Sequence, residues 1–223
     1  GVDIRFSDIG HLLGSAAIEL WLREGPNERK IVFSGDVGNT DQPIIIDPSS
    51  VDDTDYLVME STYGSRNHER HTDTIDVLAS YIERTLERGG NVIIPSFAVG
   101  RTQELLYAIR EIKQQKLVKD ASFPVYIDSP LAIEATKIFE NCDIVNFDAE
   151  TRMLIEKGVD PLYFENLHLA VTVDESKLIN ETPESKVIIS ASGMCEAGRI
   201  RHHLKHNLWR PQNLILFVGY QAE

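Results

Sequence analysis

With 22 Lys and Arg against 35 Asp and Glu in 223 residues, the chain carries a net charge of −13, which excludes coating of nucleic acid through overall basicity. A local basic cleft or a bound metal is not excluded by that number. Hydrophobic residues reach 42%, enough for a buried core, and no apolar run approaches the ~20 residues that a membrane span needs. Cys142 and Cys195 form no CxxC pair and suggest no disulfide framework, so a reducing, cytoplasmic setting is expected. The first residues lack the pattern of a signal peptide, and both ends read as cuts through a domain.

The first part, to about Ser65, is rich in short strands. Val2 to Phe6 alternates, and Ala16 to Leu22 places Ile18, Leu20 and Leu22 on one face. Lys30 to Phe33 and Tyr56 to Met59 supply two more strands, ending in Asp36 and Glu60. From about His68 helix and strand alternate, which predicts a parallel sheet with crossover helices. Helices are expected over Thr72 to Arg88 (capped by Thr72 or Asp73), Arg101 to Gln115, Pro130 to Glu140 and around Glu196 to Leu208. Strands are expected near residues 91, 124, 186 and 213, a layer of at least four. The stretch Asn141 to Glu184 carries the weakest signals, and the natural cut falls near residue 65.

Chemistry-bearing side chains stand where the early strands end. His11 lies in Gly10-His11-Leu12-Leu13-Gly14-Ser15, Asp36 in Ser34-Gly35-Asp36, and Glu60 in Met59-Glu60-Ser61-Thr62-Tyr63-Gly64. An imidazole and carboxylates from neighbouring strand ends suit Zn²⁺, although a lone histidine in a glycine loop or an aspartate before Val37-Gly38 can equally shape a turn. Further patterned segments are Pro95 to Glu104, Val125 to Ala132, Ser190 to Met194 with Gly198-Arg199, and Val218 to Ala222.

Taken in order, these seven segments resemble the successive motifs of the β-CASP group of metallo-β-lactamase-fold nucleases. That group includes ribonuclease J and the endonuclease subunit of the pre-mRNA cleavage and polyadenylation complex. The resemblance implies an α/β architecture: part of a metallo-β-lactamase αββα fold over residues 1–64, then a Rossmann-like β-CASP domain with a parallel sheet over 65–223. It implies a ribonuclease using two zinc ions in phosphodiester hydrolysis, at a cleft between the domains, with single-stranded RNA as partner and a homodimer compatible with it. Carried over, His11 becomes a metal ligand and Asp36 the carboxylate bridging two ions. Glu60 becomes the acidic residue that tunes a catalytic histidine. Arg101, at a helix start, His68, near the junction, and Ser192, in a loop able to present backbone N–H groups, become substrate contacts. The family's HxHxDH motif and its later β-CASP histidines have no counterpart in these residues, so this chain alone is expected to bind zinc poorly and to cleave nothing.

Arg199, Arg201, His203, Lys205 and Arg210 form the basic stretch of an acidic chain, with no acidic residue from Ala197 to Ala222. A solvated helix face or structural contacts, an RNA contact through Arg201 and Lys205, and a metal pair of His202 with His206 are the readings open here. The rival functions are a non-catalytic β-CASP subunit, a DNA nuclease of the same family, a small-molecule hydrolase and a nucleotide-binding Rossmann module. The long α/β part argues against the small-molecule hydrolase, and the first 64 residues against the Rossmann module.

Overall fold

The computed structural model describes residues 1–65, 74–219 and 221; the candidate His68 and the expected cap at Thr72 or Asp73 lie outside them. The chain divides into two compact units, one of Gly1–His71 with Asp143–Lys157, the other of Thr72–Cys142 with Gly158–Glu223.

The first unit is built on a four-stranded sheet in the order β1 (Val2–Asp8), β2 (Ala16–Glu24), β3 (Asn27–Phe33), β4 (Tyr56–Val58). The first two pairings are antiparallel and the last is parallel. Side chains alternate across a strand, so Val2, Ile4 and Phe6 share a face with Ile18, Leu22 and Phe33. That apolar face is exposed, with Phe6 68% accessible. The covered face holds Ala17, Val32 and a fully buried Glu19. Glu19 accepts from Arg5 Nε at 2.6 Å and Nη2 at 2.8 Å and from Ser7 Oγ, and pairs with Lys30 Nζ at 2.7 Å. The hydrogen bond from Arg5 leads in holding the Glu19 carboxyl at about 2, overcoming its desolvation. Burial is thus opposite to what apolar alternation alone suggests for β2.

The segment Asp143–Lys157 joins this unit through a 3-10 turn at Ile144–Asn146 and helix α4 (Ala149–Glu156). Asp148 caps α4 with one carboxylate oxygen, at 2.6 Å from Thr151 N, and accepts the Ile44 N–H at 2.7 Å with the other. Ile45 forms a bridge with Phe147.

The second unit carries five parallel strands in the order β7 (Leu167–Leu169), β6 (Val125–Asp128), β8 (Val187–Ser190), β5 (Val92–Pro95), β9 (Leu214–Ile215). Its helices are α1 (Thr74–Glu87), α2 (Arg101–Gln114), α3 (Pro130–Glu140), α5 (Val173–Glu181) and α6 (Ile200–Asn207). All of β5 and β8 is buried, the pattern of a sheet covered on both faces. Ile93 and Ile188 pack with Ile179 of α5 and Ile200 of α6, and Val92, Ile94 and Ile189 point to the opposite face. The α/β class and the parallel sheet agree with expectation, and the sheet has five strands. Helix α3 keeps its expected bounds, because Ser129 Oγ accepts from Ala132 N and Pro130 suits the first turn. Helix α6 begins at Ile200 rather than 196, since 191–199 form a closed loop, and the strand expected from 213 is two residues long.

Candidate active site

Two loops in the first unit converge because glycine lets their backbones touch. A Cβ on Gly38 would stand 1.7 Å from Gly10 O and 2.6 Å from His11 N, so any side chain there would push the loops apart. Gly38 N donates to Ile9 O at 2.9 Å. On the other side, Gly10 N donates to Asp8 Oδ1 at 2.8 Å. The amides of His11 and Leu12 both donate to Ser15 Oγ at 3.1 Å.

The result places His11 Nε2 3.9 Å from Asp36 Oδ2, with 41% and 76% of the two side chains accessible. Glu60, at the end of β4, fastens the Asp36 loop: its Oε1 accepts the Val37 N–H at 2.7 Å and its Oε2 accepts from Thr62 Oγ1 at 2.6 Å. Those bonds, that of Thr62 leading, hold the Glu60 carboxyl below its ordinary value, so it stays ionised. Ser34 Oγ accepts the Glu60 N–H at 3.2 Å. His11 and Asp36 therefore face each other from two loops, and Glu60 holds the Asp36 loop from the end of a third strand.

An imidazole nitrogen and a carboxylate oxygen, both reachable by solvent, fit a zinc ion as two of its ligands. Among the described residues no group of three or more His, Cys, Asp and Glu gathers as a metal cage. Sequence reasoning missed Ser15, Gly38 and Thr62 as the residues that set this geometry. The pair Val37-Gly38 directly after Asp36 was the available signal, and it reads as an ordinary turn.

In the second unit three patterned segments come together at one end of the sheet. Ser190 is in register with both Pro95 and Asp128, so the loops after β5, β6 and β8 leave neighbouring carboxyl ends, where open α/β sheets place their ligands. A Cβ on Gly193 would meet the Phe97 ring at 2.9 Å, and Gln221 Nε2 donates to Gly193 O at 2.9 Å. The fourth segment thus reaches the same place. Ser192 lies in this cluster, but its N–H is taken by Ala197 O at 3.2 Å, and its carbonyl accepts from Cys195 N at 3.2 Å. Arg101 opens α2 and pairs with Glu104 one turn on.

The basic stretch divides in two. Arg201 and Lys205 lie on the exposed face of α6. Arg199 and His203 turn inward and make the structural contacts that are one of the readings open for this stretch. Arg199 Nη1 reaches Asp128 Oδ1 at 2.7 Å and His203 Nε2 reaches Oδ2 at 2.7 Å, and Ser176 Oγ donates to the same carboxylate. Burial pushes the Asp128 carboxyl up, and these three partners more than offset it, leaving it below its ordinary value. The His202 and His206 rings lie 4.3 Å apart between centroids at a 53° tilt, with His206 Nδ1 directed to the His202 carbonyl at 2.8 Å.

A family model described as the Beta-Casp domain matches residues 102–223, more than half of the chain. Ribonuclease TTHA0252 of Thermus thermophilus is 35% identical over 222 residues, covering 100% of this chain and 49% of that protein. An RNase J-like protein of Methanocaldococcus jannaschii is 33% identical over 226 residues, 100% of this chain and 50% of the relative. Transcription termination factor FttA of Methanosarcina mazei is 30% identical over 227 residues, 100% and 34%. The chain spans about half the length, or less, of these curated relatives. No helix among the described residues is long and apolar enough to cross a membrane.

Proposed function

The chain belongs to the Beta-Casp family, and from that premise we propose that the full-length protein is a metal-dependent ribonuclease, hydrolysing phosphodiester bonds of single-stranded RNA with zinc held in part by His11 and Asp36. The observation that carries this reading is the convergence of His11 and Asp36 from two loops locked by the contact of Gly10 with Gly38. Relatives named as ribonucleases support RNA as the substrate.

When bound, the metal neutralises charge on the phosphate and makes water a nucleophile near neutral pH. The chain's own residues do the positioning. His11 Nε2 would bind as the neutral imidazole and Asp36 as the carboxylate, exposed where a phosphate can approach. Glu60 keeps the Asp36 loop in place by accepting the Val37 N–H. One of its oxygens accepts the Val37 N–H and the other the Thr62 hydroxyl, and the same carboxylate is proposed to take an imidazole N–H, the role that the family resemblance implies. Arg101, His68, Ser192, Arg201 and Lys205 are proposed to contact the RNA, Arg101 through a guanidinium that Glu104 orients.

The test is cleavage of end-labelled single-stranded RNA by the full-length protein beside its Asp36→Ala variant. Cleavage by the parent and its loss in the variant are expected; cleavage that survives Asp36→Ala would overturn the assignment.

A further inference from the structure

Helix α6 faces two ways. Its inner side, Ile200, His203 and Asn207, is buried in the second unit. Its outer side and the residues after it are open, and no large apolar side chain among the described residues is more exposed than Leu208 and Trp209, each at 70%. Isolated exposed apolar residues need no explanation, but two adjacent ones beside three cations do. Leu208 and Trp209 line an open concavity of about 480 Å³ together with Cys195, Arg201, Leu204 and Lys205. The Arg210 guanidinium lies 5.0 Å from the Trp209 ring centroid, covering one side of the indole. Arg201 reaches a backbone carbonyl, Glu196 O, at a long 3.5 Å. Apart from Cys195 and Glu196, these residues sit in a stretch free of acidic residues, from 197 to 222, in a chain of net charge −13.

We propose that this outer face of α6 is a docking surface for single-stranded RNA. An unpaired base stacks on the open side of Trp209, while Arg201, Lys205 and Arg210 take the neighbouring phosphates. Aromatic platforms flanked by cations are how proteins hold unpaired strands without reading sequence. The charge reversal within an acidic chain selects a polyanion, and the indole, already covered on one side by a guanidinium, selects a flat π-surface for the other. Leu208 provides the apolar flank for the base edge. The proposal deepens the reading above and rests on it.

The experiment measures binding of a labelled 20-nucleotide uridine strand to the full-length protein by fluorescence anisotropy, with EDTA present to hold off cleavage. Trp209→Ala is expected to weaken binding by about 5- to 150-fold, the range for losing one base stack. Trp209→Phe is expected to retain most of the affinity. Arg201→Glu with Lys205→Glu is expected to lower the slope of log affinity against log salt by about 2, one for each phosphate that no longer meets a cation. A fully paired RNA duplex is expected to show no dependence on Trp209. Wild-type affinity in Trp209→Ala would overturn the proposal, and if the parent still cleaves RNA the ribonuclease reading survives it. A parent that neither binds nor cleaves RNA removes both. Loss of self-association in Trp209→Ala, with RNA binding unchanged, would instead make this face a contact between copies of the chain.

Discussion

The two sheets bury themselves by opposite means. In the second unit, Val92–Ile94 of β5 and Val187–Ile189 of β8 are apolar on both faces and both faces are covered, so each strand carries a continuous hydrophobic run. In the first unit the strands alternate, yet the covered face is organised around Glu19, Arg5 and Lys30 while Ile4 and Phe6 face outward. Hydrophobic burial drives the one, and a desolvated ion-pair group organises the covered side of the other. Apolar periodicity locates a strand reliably but does not say which face is covered.

That contrast can be broken by substitution. Asp128→Ala removes the carboxylate that Arg199 and His203 share inside the second unit, leaving Arg199 only the Ala170 and Val171 carbonyls, with an expected loss of about 3–5 kcal/mol. Urea unfolding followed by hydrogen exchange of peptides from β8 would read it, and a loss under about 1 kcal/mol would mean that apolar packing alone holds that unit. Ile188→Ala in the same strand should cost about 2–5 kcal/mol through the cavity it leaves. Glu19→Ala in the first unit is expected to cost about 2 kcal/mol, less than Asp128→Ala because Arg5 is half exposed and can be rehydrated. Phe6→Ser on the open face should change the stability of this chain by less than about 0.5 kcal/mol. A large loss there, measured in the same urea series, would show that the face is covered in solution.

Acid and alkali sharpen the same comparison. Glu19, at about 2 in the folded chain, stabilises the first unit fully above its unfolded value near 4.5, and that contribution is lost as pH falls toward 2. Asp128 acts with the same sign in the second unit. Lys113 differs: burial lowers it to about 8 from 10.5, so the folded chain loses this proton first and stability rises as pH climbs between those values. Its amino group donates to Ala121 O at 2.7 Å and Phe123 O at 2.6 Å. Lys113→Met should abolish this alkaline gain in melting temperature; an unchanged profile would remove Lys113 as its source.

Much of the fold was readable where local and tertiary signals agree. Helix α3 has a Ser cap, a proline in its first turn and buried Ile133 and Phe139. Helices α4 and α5 were not, because Thr151 is the residue that α4 buries, and α5 buries Ser176 and Ile179. The capping box of Thr172 and Glu175 was the signal left in the sequence for α5. Strand β7, three residues at a sheet edge, had no pattern long enough to stand out. At the site, His11, Asp36 and Glu60 were legible as polar residues at strand ends. Their fastening was not, because the approach of Gly38 to Gly10 joins loops distant in sequence and needs the absence of a side chain rather than its presence.

The acceptor for the Ile44 amide is Asp148, 104 residues further along the chain. Ribosomes add about 5–20 residues per second, so this amide waits roughly 5–20 seconds before its partner has been made. Through that interval the growing chain can assemble β1, β2 and β3, but the loop after Asp36 closes its last bond only when β5 and β6 have already been synthesised. The first unit to begin therefore cannot finish until much of the second has been made.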